Sequence, residues 1–234
     1  FQSFFLNIYG LFIARRRYNK NFHKYLNLFK SSNTDKIDFI QLKKFVISAN
    51  ETFYWKKQFE KFNVNINSTD LINELKKLPI LNKKDVLKNF DQIYNSKIND
   101  DKKLVKTSGS TGTPLKLFET KTMENKQWAV WWRYRINLGL NLNSWCAWFG
   151  GRKIISTNRN SPPYWHINYF NRQIMFSAHH LSQSTIKDYY NRIKNSDISW
   201  IHGYPSQISF FASLIDSMKL NKLKQIKIIT VGGE

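Results

Sequence analysis

The sequence predicts a layered α/β domain preceded by a helical region, and three observations lead to this prediction. Apolar residues recur at helical spacing through residues 1–62. A polar stretch at 95–101 then ends the helical pattern. Beyond it, short strand-like segments alternate with helices, which is typical of a sheet covered by helices. We expect a helical region over residues 1–100 and the first part of an α/β domain over 101–234.

The helical region is expected to contain several short helices. Aromatic and aliphatic residues at helical spacing mark helices around 22–29, 39–46 and 52–62. The sequence Ser68-Thr69-Asp70 places side-chain acceptors ahead of the apolar repeat LINELKKL, as at a helix start. Asn82 is expected to cap the helix KKDVLKNF in the same way.

The second region is expected to contain both strands and helices. Helices are predicted over about 122–138, 184–195 and 205–219. Strands are predicted over 104–107, 115–120, 145–149, 153–156, 174–176, 200–202 and 226–231.

The formal net charge of +21 raises the alternative of a basic nucleic-acid-binding domain. The excess is spread evenly, with +11 over residues 1–106 and +10 over residues 107–234. One short cluster, Arg15-Arg16-Arg17, has neither zinc-finger spacing nor an RNA-binding signature beside it. Charge alone produces nonspecific attraction, so we expect no specific nucleic-acid binding.

Cellular location is indicated by the single cysteine and the apolar start of the chain. Cys146 can form no intrachain disulfide, which favours a reducing compartment such as the cytoplasm. The apolar start is interrupted by Asn7 and Gly10 before the first charge at Arg15. A spanning helix needs about 20 apolar residues, and a signal peptide carries its positive charges first. We therefore expect an amphipathic helix and no transmembrane segment.

The segment TSGSTGTP, residues 107–114, carries the most chemical information. Its glycines let backbone N–H groups approach a ligand closely, and consecutive N–H groups form a concave anion site to which hydroxyls add donors. A Walker A loop is excluded, because that motif ends in Gly-Lys-Ser/Thr before a helix and Pro114 leads into a strand. The alternative interpretation is an ordinary surface turn.

The order of these residues resembles the phosphate-binding signature of the adenylate-forming (AMP-binding) enzymes, which include the acyl-CoA synthetases. Other motifs make nearly the whole chain similar to the phenylacetate–CoA ligase family, in the branch associated with capsular polysaccharide biosynthesis. These motifs are Tyr9-Gly10, Arg17-Tyr18, LPILNKKD at 78–85, FGGR at 149–152, PPYW at 162–165, SAHHLS at 177–182 and GYPS at 203–206.

The resemblance implies a ligase that activates a small-molecule carboxylate. The carboxylate would attack the α-phosphate of ATP with the help of Mg²⁺, giving an acyl-adenylate and pyrophosphate. The acyl group would then pass to CoA or to another acceptor. The residues implied in phosphate binding are Thr107, Ser108, Gly109, Ser110, Thr111, Gly112 and Thr113.

A further phosphate contact is implied just after the loop. Many members of the superfamily place a lysine directly after the loop proline, where this chain has Leu115. Lys116 follows and is the candidate contact. Neighbouring side chains of a strand face opposite ways, so Lys116 would face the other side from the usual lysine.

The resemblance also implies residues for the rest of the active site. The residues expected at the acyl pocket are Phe149, Gly150, Gly151, Arg152, His179 and Tyr204. The residues expected to flank the adenine are Gly232, Gly233 and Glu234.

These positions also have plainer interpretations. Residues 149–152 suit a tight turn, and Tyr204 suits a helix start ahead of Pro205. His179-His180 is interpreted as core or loop histidines and not as a metal site, because adjacent side chains diverge. The tryptophans of 128–132, with Arg135, are interpreted as core packing and not as a base-stacking platform.

The chain is interpreted as an inactive fragment of a longer enzyme. It begins without Met and ends just after an apolar run. By resemblance, the catalytic residues lie downstream, in a Tyr-Gly-x-Thr-Glu segment, a ribose-binding Asp and a lid domain with a catalytic Lys. The alternative is a non-catalytic partner of the same fold in polysaccharide biosynthesis. Neither the acid, the acceptor nor the oligomeric state can be predicted.

Overall fold

The computed structural model describes residues 2–31, 34–107 and 113–233. Contacts between Cα atoms divide the chain into two compact units. One is Lys20–Val130, and the other joins Phe1–Asn19 to Trp131–Glu234. This division differs from the expected boundary at residue 100, since the first helix groups with the α/β part and the first two strands group with the helices. The functional division at residue 100 stays a prediction.

Helices fill the first part of the chain, as expected. Thr52, Asp70 and Asn82 each accept a hydrogen bond from the backbone N–H three residues further on, which confirms the predicted helix starts. The helix predicted over 83–90 ends earlier, at Lys88, and a separate short helix follows Asn89. The bounds are α1 Gln2–Arg17, α2 Lys20–Ser31, α3 Thr34–Asn50, α4 Phe53–Lys61, α5 Leu71–Leu75, α6 Lys83–Lys88 and α7 Phe90–Ile93.

The unit Lys20–Val130 also contains the hairpin that carries the predicted phosphate loop. Strands β1 (Lys102–Lys106) and β2 (Lys116–Thr120) pair antiparallel, with Lys106 opposite Lys116. Phe118 of β2 packs against Tyr94, with 4.5 Å between ring centroids. The two strands were predicted at these places, and the prediction is confirmed.

The other unit is built on a five-stranded sheet in the order β4-β5-β3-β6-β7. Strands β5, β3, β6 and β7 are parallel, and β4 is an antiparallel edge strand. Helix α8, Lys121–Asn137, begins in the unit Lys20–Val130 and ends in this one. The other bounds are β3 Trp145–Gly150, β4 Trp165–Asn168, β5 Gln173–Ser177, α9 Ile186–Lys194, β6 Ile198–Gly203, α10 Pro205–Ser217 and β7 Ile228–Val231, with a 3₁₀ turn at Ala178–His180.

Both faces of this sheet are covered, which confirms the layered α/β prediction. Successive side chains of a strand point to opposite faces. Phe149 of β3 packs on Phe176 and Phe211, with ring centroids 5.0 Å and 4.9 Å apart, so α10 covers one face. Trp200 of β6 faces the other way and packs on Trp132 of α8, at 6.5 Å.

Two strand predictions need correction. Residues 153–156 form no strand. The side chain of Ile155 is buried, but the backbone of this segment pairs with no neighbouring strand. Strand β4, Trp165–Asn168, was not predicted; it is four residues long and exists through its pairing with β5. Within the described residues, no helix is long and apolar enough to cross a membrane.

At Gly203 the backbone of β6 packs directly against the carbonyl group of Phe149 in β3. A Cβ atom there would overlap the carbonyl oxygen of Phe149, whereas a Cβ at Gly232 would meet nothing within 4 Å. We expect Gly203→Ala to lower the free energy of unfolding by about 2 kcal/mol or more, since overpacking strains the backbone. Urea denaturation measures this change.

Gly232→Ala is the matched control and should leave the stability within about 0.5 kcal/mol of the wild type. Equal stability of the two variants would contradict the close approach.

Candidate functional site

The carboxyl ends of the parallel strands form the candidate site. After β3 the chain runs to β5 on one side, and it then crosses back to β6 on the other side of β3. Open α/β sheets bind ligands in the crevice at such a reversal of strand order. By this rule, a ligand crevice is expected at the ends of β3 and β6, near Gly150 and Gly203. The end of β7 lies beside it, at Val231.

Tyr204 follows β6 directly and lies at these strand ends. Its N–H donates a hydrogen bond to the carbonyl oxygen of Phe149, at 2.9 Å, which fixes the start of α10. A Cβ at Gly151 would lie 2.6 Å from Cε2 of the Tyr204 ring, and one at Gly233 would lie 3.3 Å from Cε1. The ring therefore lies between two glycine turns, and a larger residue at Gly151 would displace it.

Gly233 needs glycine for a second reason. Its φ is +81°, in the region that residues with a side chain rarely adopt. The preceding Gly232 donates its N–H to the carbonyl oxygen of Gly203, at 3.3 Å. The sequence analysis expected Gly151 and Tyr204 at the acyl pocket and Gly233 beside the adenine. The structure brings these three residues together.

A cavity of about 560 Å³ lies beside these turns. It opens between the second half of α8 and the ends of β6 and β7, and its volume is within the range of small-molecule sites. Aromatic side chains and backbone atoms form most of its walls, and an arginine and a histidine side chain also line it. The lining residues are Trp131, Tyr134, Arg135, His202, Thr230, Val231, Gly232 and Gly233.

Arg135 is the cation of this cavity. Its guanidinium carbon lies 4.8 Å from the ring centroid of Trp200, 5.2 Å from that of Trp132 and 6.0 Å from that of Trp131. Aromatic faces stabilise a cation at such distances. Burial lowers the pKa of Arg135, while the adjacent Cys146 acts in the opposite sense. Even a lowered arginine pKa leaves the group charged, so the cavity carries a fixed positive charge.

His202 is a titratable group of the cavity. Its Nδ1 lies 3.2 Å from the carbonyl oxygen and 2.8 Å from Oγ1 of Thr230. In one tautomer of the neutral ring Nδ1 donates to these oxygens, and in the other it accepts from the Thr230 hydroxyl. Burial and the positive charge of Arg135 both lower the pKa of His202. Both effects favour the neutral ring at pH 7.

The other residues expected at the acyl pocket are dispersed. Phe149 is fully buried in the core, where only its backbone reaches the crevice. Gly150 packs against the ring of Trp148. Arg152 and His179 are exposed. Of the expected acyl-pocket set, Gly151 and Tyr204 lie at the crevice, and the roles of all members stay predictions.

The histidine pair does not act as a unit. His179 points to solvent, whereas His180 stacks on Tyr164 and its Nδ1 lies 2.8 Å from Oγ of Ser177. The interpretation as loop and core histidines fits this arrangement. Among the described residues, no group of three or more His, Cys, Asp or Glu side chains could hold a metal ion.

Most of the predicted phosphate loop, Ser108, Gly109, Ser110, Thr111 and Gly112, lies outside the described residues, as does Glu234. The base of the loop is described. Thr107 donates its N–H to the Leu115 carbonyl, and its Oγ1 accepts from the Leu115 N–H, both at 3.0 Å. These two bonds close the hairpin below the loop. Thr113 and Lys116 are exposed, and their contact with phosphate stays a prediction.

Six of the eight lining residues were not predicted as site residues, among them Arg135, His202 and Thr230. The sequence signal for Arg135 was its place on a tryptophan-rich helix, which was interpreted as core packing. That interpretation holds for Trp132, which is buried, but Trp131 is exposed and lines the cavity. His202 gave a weaker signal, as the last polar residue before the Gly-Tyr-Pro turn.

Known proteins resemble this chain in sequence and in fold. A scan against models of protein families finds no match. Protein CapK of Staphylococcus aureus is 26% identical over 228 residues, which cover 92% of this chain and 48% of that protein. The crystal structure of a 2-hydroxyisobutyryl-CoA ligase in complex with 2-HIB-AMP and CoA matches with a TM-score of 0.59 and 14% identity, over 87% of this chain and 44% of that one.

The chain is therefore similar in sequence to Protein CapK and shares the fold of part of this CoA ligase. It spans about half the length of these two relatives. The predicted resemblance to the adenylate-forming enzymes is confirmed at the level of the fold. Membership of the phenylacetate–CoA ligase family stays a prediction.

The electrostatic interaction between Arg135 and His202 predicts that the pKa of His202 depends on the charge at position 135. Removing the charge in Arg135→Gln should raise the pKa of His202, because one of the two causes of its lowering is lost. Titration of the imidazole by NMR measures this change.

Arg135→Lys keeps the charge and is the control, in which the pKa should stay low. A pKa for His202 that is the same in wild type and Arg135→Gln would contradict the electrostatic contact.

Proposed function

We propose that this chain is the ATP-handling part of an enzyme that activates a carboxylic acid as its acyl-adenylate. The acyl group would then pass to CoA or to another acceptor. The observation that carries the proposal is the set of turns around Tyr204, at the strand-order reversal of a fold shared with a CoA ligase. The sequence similarity to Protein CapK extends the likeness over nearly the whole chain.

The residues of the loop 107–113 would hold the phosphates of ATP. Backbone N–H groups and hydroxyls are donors without a charge of their own, and several together stabilise the charge that develops at the α-phosphate. Thr107 clamps the base of this loop through its two bonds to Leu115. Mg²⁺, bound with the phosphates, would neutralise the remaining charge.

The turn Gly232-Gly233 would flank the adenine. Glycines leave the backbone bare, so a flat base could lie against the peptide planes without meeting a side chain. Gly232 has open space where a Cβ would be. The base would then lie near the ends of β6 and β7.

The cavity beside these turns would take the organic part of the acid. Aromatic walls from Trp131 and Tyr134 suit an apolar or planar group, and the positive charge of Arg135 attracts an anion. We propose no particular acid. By resemblance, the pathway would be the biosynthesis of a capsular or other cell-surface polysaccharide, in the cytoplasm.

The test is acid-dependent exchange between ATP and pyrophosphate, measured with aromatic, aminoacyl and sugar acids. The full-length protein should catalyse exchange, and the 234-residue chain alone should release no pyrophosphate. Replacing two loop donors in Ser108→Ala/Thr111→Ala should lower the exchange rate on the order of 100-fold, since each donor stabilises the transition state.

Ser213→Ala is the control, because its exposed hydroxyl donates to the Phe210 carbonyl within α10. Its exchange rate should match the wild type. A full-length protein that binds ATP without exchange would support the alternative of a non-catalytic partner. Exchange by the loop variant at the wild-type rate would contradict the proposed role of the loop.

A further inference from the structure

One side of α1 is apolar and faces solvent. Phe4, Phe5, Tyr9 and Phe12 are each 64–65% exposed, and Ile8 is 39% exposed. Positions 4, 5, 8, 9 and 12 recur at the spacing of one helix face. We call these five residues the α1 apolar face. Large apolar side chains gathered on one exposed surface mark a place of interaction.

The opposite side of α1 is fixed to the sheet within the same unit. Nδ2 of Asn7 donates to the Ile167 carbonyl at 3.0 Å, and Oδ1 of Asn7 accepts from the Tyr169 N–H at 2.9 Å. A Cβ at Gly10 would lie 2.6 Å from Oδ1 of Asn168, so helix and strand β4 are in close contact. These contacts set the rotation of α1, and the apolar face cannot turn toward the sheet without breaking them.

Positive charge continues the same side of the helix. Arg15 and Arg16 follow Phe12 at helical spacing, and the first acidic residue of the chain is Asp35. The unit formed by residues 1–19 and 131–234 carries 16 Lys and Arg residues against four Asp and Glu residues. An occupant of this surface therefore meets apolar side chains next to an excess of positive charge.

We propose that α1 binds the surface of a membrane that contains anionic lipids, lying in the plane of the interface. Aromatic side chains would enter the boundary between headgroups and acyl chains, and the arginines would contact lipid phosphates. The 16 residues of α1 span about 24 Å, and a spanning helix needs about 20 apolar residues, so the helix would lie flat. A second copy of the chain fits less well, since two such surfaces repel each other.

The test is flotation of the purified chain with lipid vesicles, and it does not depend on catalysis. One vesicle type contains equal parts of phosphatidylglycerol and phosphatidylcholine, and the other contains phosphatidylcholine alone. We expect binding to the anionic vesicles, weaker binding at high salt, and a loss of roughly tenfold or more in the partition constant for Phe5→Ser/Phe12→Ser.

The matched control is Phe53→Ser, which removes an equally exposed phenylalanine, 68%, from α4. Its partition constant should equal that of the wild type, and circular dichroism should show all variants folded. Equal partition of wild type and Phe5→Ser/Phe12→Ser would overturn the proposal. So would a dimer in light scattering that Phe5→Ser/Phe12→Ser dissociates, with no binding to vesicles.

Discussion

The close contact between the ends of β3 and β6 is the constraint on which the candidate site depends. Gly203 lets the backbone of β6 approach the Phe149 carbonyl, and the same carbonyl accepts the N–H of Tyr204. This bond sets where α10 begins and holds the Tyr204 ring between Gly151 and Gly233. Each strand end is thus fixed by its neighbours at the reversal of strand order, which is where open α/β sheets bind ligands.

The two faces of the sheet differ near the candidate site, since one carries an aromatic core and the other a buried cation. On the face covered by α10, stacked aromatic rings form a dry core. On the face covered by α8, tryptophans surround Arg135, and the cavity begins where they become exposed. A cation stacked on aromatic rings keeps its charge while its desolvation is partly offset. That charge lowers the pKa of His202 and favours the neutral imidazole beside a cation.

Much of the fold could be predicted from local sequence, because local chemistry determines it. Asn82 and Asp70 cap helices through side chains three residues from their donors, and the apolar runs of β3 and β6 are buried on both faces. Strand β4 could not be predicted, since its four residues are a strand only through pairing with β5. The segment around Ile154 and Ile155 was wrongly predicted to be a strand, because a side chain can be buried without its backbone pairing with another strand.

The candidate site could be predicted only in part. Gly151, Tyr204 and Gly233 were predicted as site residues because each belongs to a short motif, and the sheet order brings them into contact. The cavity joins Arg135 to His202, which are far apart in sequence, and no local pattern marks such a pair. The likeness to a CoA ligase shows the fold and leaves the chemistry to be measured.

Photoaffinity labelling of the chain with an azido-adenine analogue of ATP tests the proposed crevice most directly. Peptides would be mapped by mass spectrometry after irradiation with and without excess ATP. The account predicts a label on Tyr204 or on the Gly232-Gly233 turn that excess ATP removes. A label confined to other segments, or one that ATP does not reduce, would contradict it.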